Sequence, residues 1–245
     1  MQKTLILIPS RLKATRLPGK PLLKINDLSI ISHVVKKANQ AKLGDVFVAA
    51  EDAEIVEDVE KNGGKAILTG SNFKTGSDRI YYLFEKLKLE NVDYIINLQG
   101  DEPNINIDDL KKLDHFVKKN NSDIGTLASK INDLSVFSNK NIVKVLTKTN
   151  LSEENFPIAE NFLRSTEKSQ SNVFHHIGIY IYKTSILRKF VKFKQSDNEM
   201  KLKLEQLRAM DNGININVAL AKFTPIGVDT MEDYLALKKI MEYKI

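Results

Sequence analysis

Arg11, Lys13, Arg16 and Lys20 fall close together near the start of the chain, in Ile8-Pro9-Ser10-Arg11-Leu12-Lys13-Ala14-Thr15-Arg16-Leu17-Pro18-Gly19-Lys20-Pro21-Leu22-Leu23. Cations converging on a loop stiffened by proline suit a polyphosphate, and Gly19 lets the backbone come close to a ligand. Solvated surface charge is the competing reading. Further along, Gln99-Gly100-Asp101-Glu102-Pro103 closes an apolar run with two carboxylates, and Asp229 stands in Ile226-Gly227-Val228-Asp229-Thr230. Beside a triphosphate, one or two carboxylates are the usual protein ligands of Mg2+. Taken singly, Asp101 and Asp229 are equally well read as turn residues or helix caps.

The elements that must carry these groups are legible in the patterning. Thr4 to Ile8 is a continuous apolar and β-branched run, typical of a strand buried on both faces of a parallel sheet. Ile30, Ile31, Val34, Val35 and Ala38 then recur at helical spacing. Strands are predicted at Val46 to Ala50, Ala66 to Leu68, Tyr94 to Leu98, Ile124 to Ala128, Ile142 to Leu146, His175 to Tyr182 and Ile214 to Ala221. Helical patterns fill Ala53 to Asn62, Asp78 to Leu89, Ile107 to Lys119 and Met231 to Met241. Alternation of this kind predicts a mainly parallel, doubly wound α/β sheet, with ligands at the carboxyl ends of the strands. Residues 1–245 are expected to form one domain, with a less regular insertion or cap at about 129–213; Thr147 to Gln170 shows no clear period.

Other classes are excluded by what the motifs lack. Lys20 precedes Pro21 rather than Ser or Thr, so this is not a Walker loop, and one glycine does not make a dinucleotide fingerprint. The net charge of +6 comes from scattered lysines, many alternating with acids as in Glu85 to Glu90, which argues for a solvated surface and against a nucleic-acid partner. No apolar run has the length of a membrane span, no signal-peptide pattern opens the chain, and there are no cysteines. A cytoplasmic protein without a membrane or nucleic-acid partner is the expectation.

The first loop resembles, almost position for position, the N-terminal signature of the 3-deoxy-manno-octulosonate cytidylyltransferases, also called CMP-Kdo synthetases. Gln99 to Pro103, Gly227 to Thr230, Thr75-Gly76-Ser77-Asp78-Arg79, Leu204-Glu205-Gln206-Leu207-Arg208 and His176-Ile177-Gly178-Ile179-Tyr180 resemble further motifs of that family, in the family's order. Two departures stand out. Glu51-Asp52-Ala53-Glu54-Ile55 replaces Asp-Asp-Glu-Arg-Ile, and Phe162-Leu163-Arg164-Ser165 is the nearest match to Phe-Ser-Arg.

The resemblance implies a glycosyltransferase-A-like nucleotidyltransferase fold with a smaller dimerisation insertion. Its implied reaction is CTP plus Kdo giving CMP-Kdo and pyrophosphate, for lipopolysaccharide biosynthesis, in a Mg2+-dependent homodimer. Arg11, Arg16, Lys20 and Asp101 would be catalytic, and Asp101 and Asp229 would hold the metal. CTP would lie against Pro9, Ser10, Arg11, Lys20, Ser77 and Gln99. The sugar acid would be held by Arg79, Gln99, Arg164, His176, Tyr180, Glu205 and Gln206. On residue chemistry alone, Ser77 is also a helix cap, Glu205 and Gln206 an exposed helix face, and His176 a core histidine. A sibling enzyme for a modified octulosonate such as an 8-amino sugar, and a catalytically silent nucleotide-binding protein, are the alternatives.

Overall fold

Five residues of β-branched and leucine character open a seven-residue first strand, β1 (Thr4–Ser10), in which Ile6, Leu7 and Ile8 are wholly buried. The computed structural model describes residues 2–13, 16–166 and 171–242. The chain divides into two compact units, one of Lys3–Ile107 with Pro225–Ile245 and one of Asp108–Thr224. The second is longer than the 129–213 insertion read from the sequence, because the helix beginning at Ile107 and the strand after it belong with it.

In the first unit β1 is followed by the cation loop, a single 3-10 turn at Lys20–Leu22, and a small hairpin of β2 (Lys24–Ile25) and β3 (Leu28–Ser29). Then come α1 (Ile30–Ala41), β4 (Gly44–Ala50), α2 (Ala53–Lys61), β5 (Ala66–Leu68), α3 (Gly76–Leu87) and β6 (Tyr94–Asn97). The four long-range strands run parallel in the order β6-β1-β4-β5. The helical stripe of α1 is buried as its spacing predicts, and its N-cap Ser29 accepts from the Ser32 N–H while its hydroxyl meets Asp58 of α2. Parallel pairing brings the carboxyl ends of β1, β4 and β6 to one edge.

The second unit holds α4 (Ile107–Lys119), β7 (Ile124–Ser129), β8 (Lys144–Thr147), β9 (Ala159–Leu163), β10 (Val173–Lys183), α5 (Thr184–Phe190), α6 (Asp197–Leu202), α7 (Leu207–Asp211) and β11 (Ile216–Leu220). Here β11 pairs parallel with β7, while β10 is antiparallel to both β7 and β8, and β9 to β8. Strand β9 lies in the segment without sequence period. Its register with β8 shifts between Leu146 and Thr147, which breaks the alternation that would have revealed it. Residues 167–170 of that segment lie outside the described residues. The fold is mixed α/β with a mostly parallel sheet, as expected. The chain then returns to the first unit through α8 (Met231–Glu242), whose Leu237 packs with Leu17, Ile25, Ile30 and Val228.

Candidate active site

The loop leaving β1 is closed on itself and anchored. Gly19 N–H donates to the Leu12 carbonyl at 3.0 Å, and the Leu12 N–H donates to Asp52 Oδ2 at 2.7 Å. Gly19 adopts φ +72°, a left-handed conformation that glycine takes without strain, and so turns the chain into the Lys20–Leu22 turn. Ala14 and Thr15 lie outside the described residues. Arg11 is exposed. Arg16 Nη2 reaches Asp229 Oδ2 at 2.8 Å, with both side chains about half exposed.

Lys20 is the centre of the site. Its Nζ lies 2.5 Å from Asp101 Oδ2, 3.2 Å from Asp229 Oδ1 and 2.9 Å from the Val228 carbonyl. Burial works against the charged amine, but the two aspartates outweigh it and hold its pKa above the ordinary lysine value. The two carboxylates, 128 positions apart in sequence number, meet because Ile226 to Asp229 docks on the turn after β6. Val228 N–H donates to the Asp101 carbonyl at 3.0 Å, and Ile226 N–H to Asn104 Oδ1 at 3.0 Å. Neither aspartate is spent as a cap. The start of α8 is capped by the Thr230 hydroxyl, which accepts from the Asp233 N–H, and the Asp233 carboxylate accepts in return from the Thr230 and Asp229 N–H groups.

Two carboxylates and a backbone carbonyl converging on one cation form a hard-oxygen donor set, and the ammonium shows that a positive charge is accepted there. That suits Mg2+, which takes few protein oxygens and completes its shell from phosphate and water. Among the described residues there is no cluster of three or more His, Cys, Asp or Glu suited to a metal. Glu102, one position on, is half-buried, with its Oε2 atom buried and lacking a hydrogen-bond partner. Burial first, then the charges of Asp101 and Asp229, push its pKa up to about 8, so it is largely protonated at neutral pH.

Pro9 sits at the meeting of the strand ends. A Cβ on Gly100 would come within 3.0 Å of the Pro9 carbonyl oxygen, and one on Gly76 within 3.4 Å of Pro9 Cγ. The ends of β1 and β6 and the start of α3 therefore touch, which gathers Pro9, Ser10, Ser77 and Gln99 with Lys20 and Asp101 in one unit. Ser10 Oγ is buried without a hydrogen-bond partner. Ser77 is wholly buried, and the cap of α3 is Thr75, whose hydroxyl accepts from the Asp78 N–H.

Arg79 is held by several partners. Its guanidinium is buried, pairs with Glu51, donates from Nη1 to Thr69 Oγ1 at 2.9 Å and the Gly70 carbonyl at 2.7 Å, and lies over the Phe73 ring. Its charge is met by a buried carboxylate, and the pair pins the ends of β4 and β5 to α3. The partner is Glu51, the first residue of the turn in which this chain departs from the family pattern.

The other expected sugar residues belong to the second unit. His176 and Tyr180 share a face of β10, with ring centroids 5.5 Å apart, and Phe162 of β9 meets His176 edge-on at 4.9 Å. A register shift between Ile177 and Tyr180 leaves the Ile177 and Ile179 carbonyls to the Thr126 hydroxyl, which also lies 3.1 Å from His176 Nε2. One hydroxyl proton cannot serve both roles. Thr126 donates to a carbonyl and accepts from His176, which fixes the Nε2–H tautomer and leaves Nδ1 as an acceptor. Burial, then the neighbouring His175, lowers the His176 pKa to about 3. The Tyr180 hydroxyl is buried without a hydrogen-bond partner, and burial with Tyr182 and Glu205 nearby raises its pKa well above the usual value. Gln206 is buried at the start of α7. Arg164 Nε and Nη2 donate to the carbonyls of Leu202 and Lys203 at 2.9 and 2.8 Å, immediately before Leu204-Glu205-Gln206.

Sequence reasoning missed three supports: Asp52 on the cation loop, the bidentate Arg208–Glu199 pair beside Glu205, and buried Lys144. The last carried a signal, being a lysine in the middle of the otherwise apolar run Ile142 to Leu146.

Carboxylates and cations gathered at the carboxyl ends of parallel strands define an α/β nucleotidyltransferase. A family model described as cytidylyltransferase matches residues 5–216. The 3-deoxy-manno-octulosonate cytidylyltransferases of Afipia carboxidovorans and Thermodesulfovibrio yellowstonii are each 40% identical, over 97% of this chain and 96% and 98% of theirs. The solved structure of CMP:2-keto-3-deoxy-manno-octonic acid synthetase complexed with CTP is 33% identical and covers all of both chains with a TM-score of 0.90. The chain belongs to the 3-deoxy-manno-octulosonate cytidylyltransferase family.

Proposed function

We infer that the protein activates 3-deoxy-manno-octulosonate, converting CTP and the sugar acid to CMP-Kdo and pyrophosphate. The observation that carries this is the convergence of Asp101, Asp229 and the Val228 carbonyl on Lys20 Nζ. It is supported by relatives of that name across almost the whole chain and by the CTP complex of the similar synthetase.

Such chemistry needs no protein nucleophile. The anomeric hydroxyl attacks the α-phosphorus, a phosphorus–oxygen bond forms in line, and pyrophosphate leaves with the electron pair of the bond that breaks. Lys20, Arg16 and Arg11 neutralise the triphosphate and the growing charge on pyrophosphate. Asp101 and Asp229 would hold Mg2+, which when bound supplies Lewis acidity to the phosphate and eases deprotonation of the attacking hydroxyl. Pro9, Ser10, Ser77 and Gln99 line the nucleotide's place at the strand ends. Sugar recognition falls to Arg164, His176, Tyr180, Glu205 and Gln206. A cytoplasmic homodimer serving lipopolysaccharide synthesis completes the proposal; among the described residues no helix is long and apolar enough to cross a membrane.

Pyrophosphate release with CTP, Mg2+ and Kdo tests the reading, and a panel of nucleoside triphosphates and octulosonates tests both substrate choices. Asp101→Asn and Asp229→Asn are expected to lower turnover at least about 100-fold, the scale of losing one preorganised electrostatic group, with the circular dichroism spectrum retained. Mg2+-dependent turnover near that of the parent in either variant removes the metal assignment.

A further inference from the structure

Most of the cations described above have acid partners: Lys20 has Asp101 and Asp229, Arg16 has Asp229, and Arg79 has Glu51. Arg208 has Glu199, through N–H···O bonds of 2.8 and 2.6 Å. Lys144 of β8 differs. It is 0% exposed, yet no carboxylate among the described residues pairs with it. Its Nζ donates to the backbone carbonyls of Asn139 at 2.7 Å, Ile142 at 2.8 Å and Arg164 at 2.7 Å. Three acceptors require three N–H groups, and only the ammonium form has them.

The guanidinium of Arg164 is held in the same manner. Its Nε, Nη2 and Nη1 donate to the carbonyls of Leu202, Lys203 and Lys140 at 2.9, 2.8 and 3.4 Å, again without a carboxylate. A guanidinium has five N–H groups, so two remain for a ligand. The hydrogen bonds these cations make go to dipoles, and among the described residues no carboxylate cancels the charge of either. Lys144 is near enough that its charge, after burial, lowers the pKa of His175. Burying a charge without a counter-ion is costly, and a neighbouring like charge adds to that. A staple needed only for stability gains nothing from the extra potential, whereas an anion bound at Arg164 does.

We propose that Lys144 is a positioning residue for the sugar acid. It fixes the Arg164 backbone through its carbonyl and sets a second, uncancelled positive charge near the guanidinium, so that the pair selects an acceptor bearing a carboxylate. This rests on the reading of Arg164 as a sugar-acid residue.

The test is the ratio of affinities for Kdo and its carboxamide, measured by calorimetry on the full-length protein with the thermal midpoint alongside. The parent is expected to favour the acid strongly. Lys144→Met is expected to weaken the acid about tenfold more than the carboxamide, as one charge about 12 Å away does at an effective dielectric near 20, and to leave CTP affinity unchanged. Asn139→Asp puts a neutralising acid beside the pair at an exposed position, and an aspartate can keep the 3.0 Å bond from the Asn141 N–H. It is expected to lower the ratio in the same direction, and it decides the matter should Lys144→Met not fold. An unchanged ratio in a folded Lys144→Met protein, or in Asn139→Asp where the methionine variant does not fold, overturns the proposal and leaves Lys144 a staple. A parent that does not distinguish acid from carboxamide overturns the reading of Arg164 instead, and with it this inference.

Discussion

His176 shows how much one buried ring can set. Its Nε2–H is committed to Thr126, it is walled by Phe162 and Tyr180, and it stays neutral down to about pH 3. The folded-state pKa is below the ordinary histidine value of 6.5, so the unfolded chain binds the extra proton first. Stability from this group is complete above about pH 6.5 and is lost progressively as pH falls from there towards 3. At pH 5 the loss is about 2 kcal/mol, at 1.36 kcal/mol per unit. Denaturant titrations at pH 7 and pH 5 are expected to show this difference in the parent and not in His176→Gln; equal pH dependence in the two proteins would remove His176 as its source. At this scale the sequence was informative where residue types admit few roles. Lys20, Asp101 and Asp229 converge as their motifs predicted. The Glu51 partner of Arg79 was not legible, because it is fixed by tertiary packing of β4 against α3, which no local spacing encodes.

Loops rather than strands give the first unit its chemistry, and one bond holds the decisive loop. Asp52, in the turn after β4, accepts from the Leu12 N–H at 2.7 Å, next to Arg11 and at the base of the segment closed by Gly19. A charge-assisted bond of this kind contributes roughly 1.5–3 kcal/mol. Asp52→Ala is expected to raise KM for CTP by about tenfold, from an effective loss of some 1.4 kcal/mol in ordering the loop, with KM for the sugar acid nearly unchanged. Initial-rate kinetics in both substrates check this, and a parallel rise in both KM values would count against a loop-specific role. Elements with an uninterrupted period were legible: β1, α1, β4 and β6 lie where the apolar pattern puts them. Strand β9 was not, because its pairing slips by a residue and its exposed positions are polar.

For the molecule as a whole, the first unit is discontinuous in sequence. Lys3–Ile107 and Pro225–Ile245 pack together, and Leu237 of α8 shares a cluster with Leu17, Ile25, Ile30 and Val228 beside the cation loop. A chain ending at Thr224 therefore lacks Asp229 and part of that cluster. It is expected to release no measurable pyrophosphate and to unfold at lower temperature; turnover within tenfold of the parent would separate the C-terminal segment from the site. The α/β class was readable from strand–helix alternation. The boundary of the second unit was not, since a helix reads alike whichever body it packs against.

The 3.2 Å contact between Lys20 and Asp229 spans most of the polypeptide. Ribosomes add roughly 5–20 residues per second, so on the order of ten seconds pass after the first parallel strands emerge before their last acidic group exists. Throughout that interval the cationic loop lacks Asp229, the partner of Arg16 and the second acid beside Lys20.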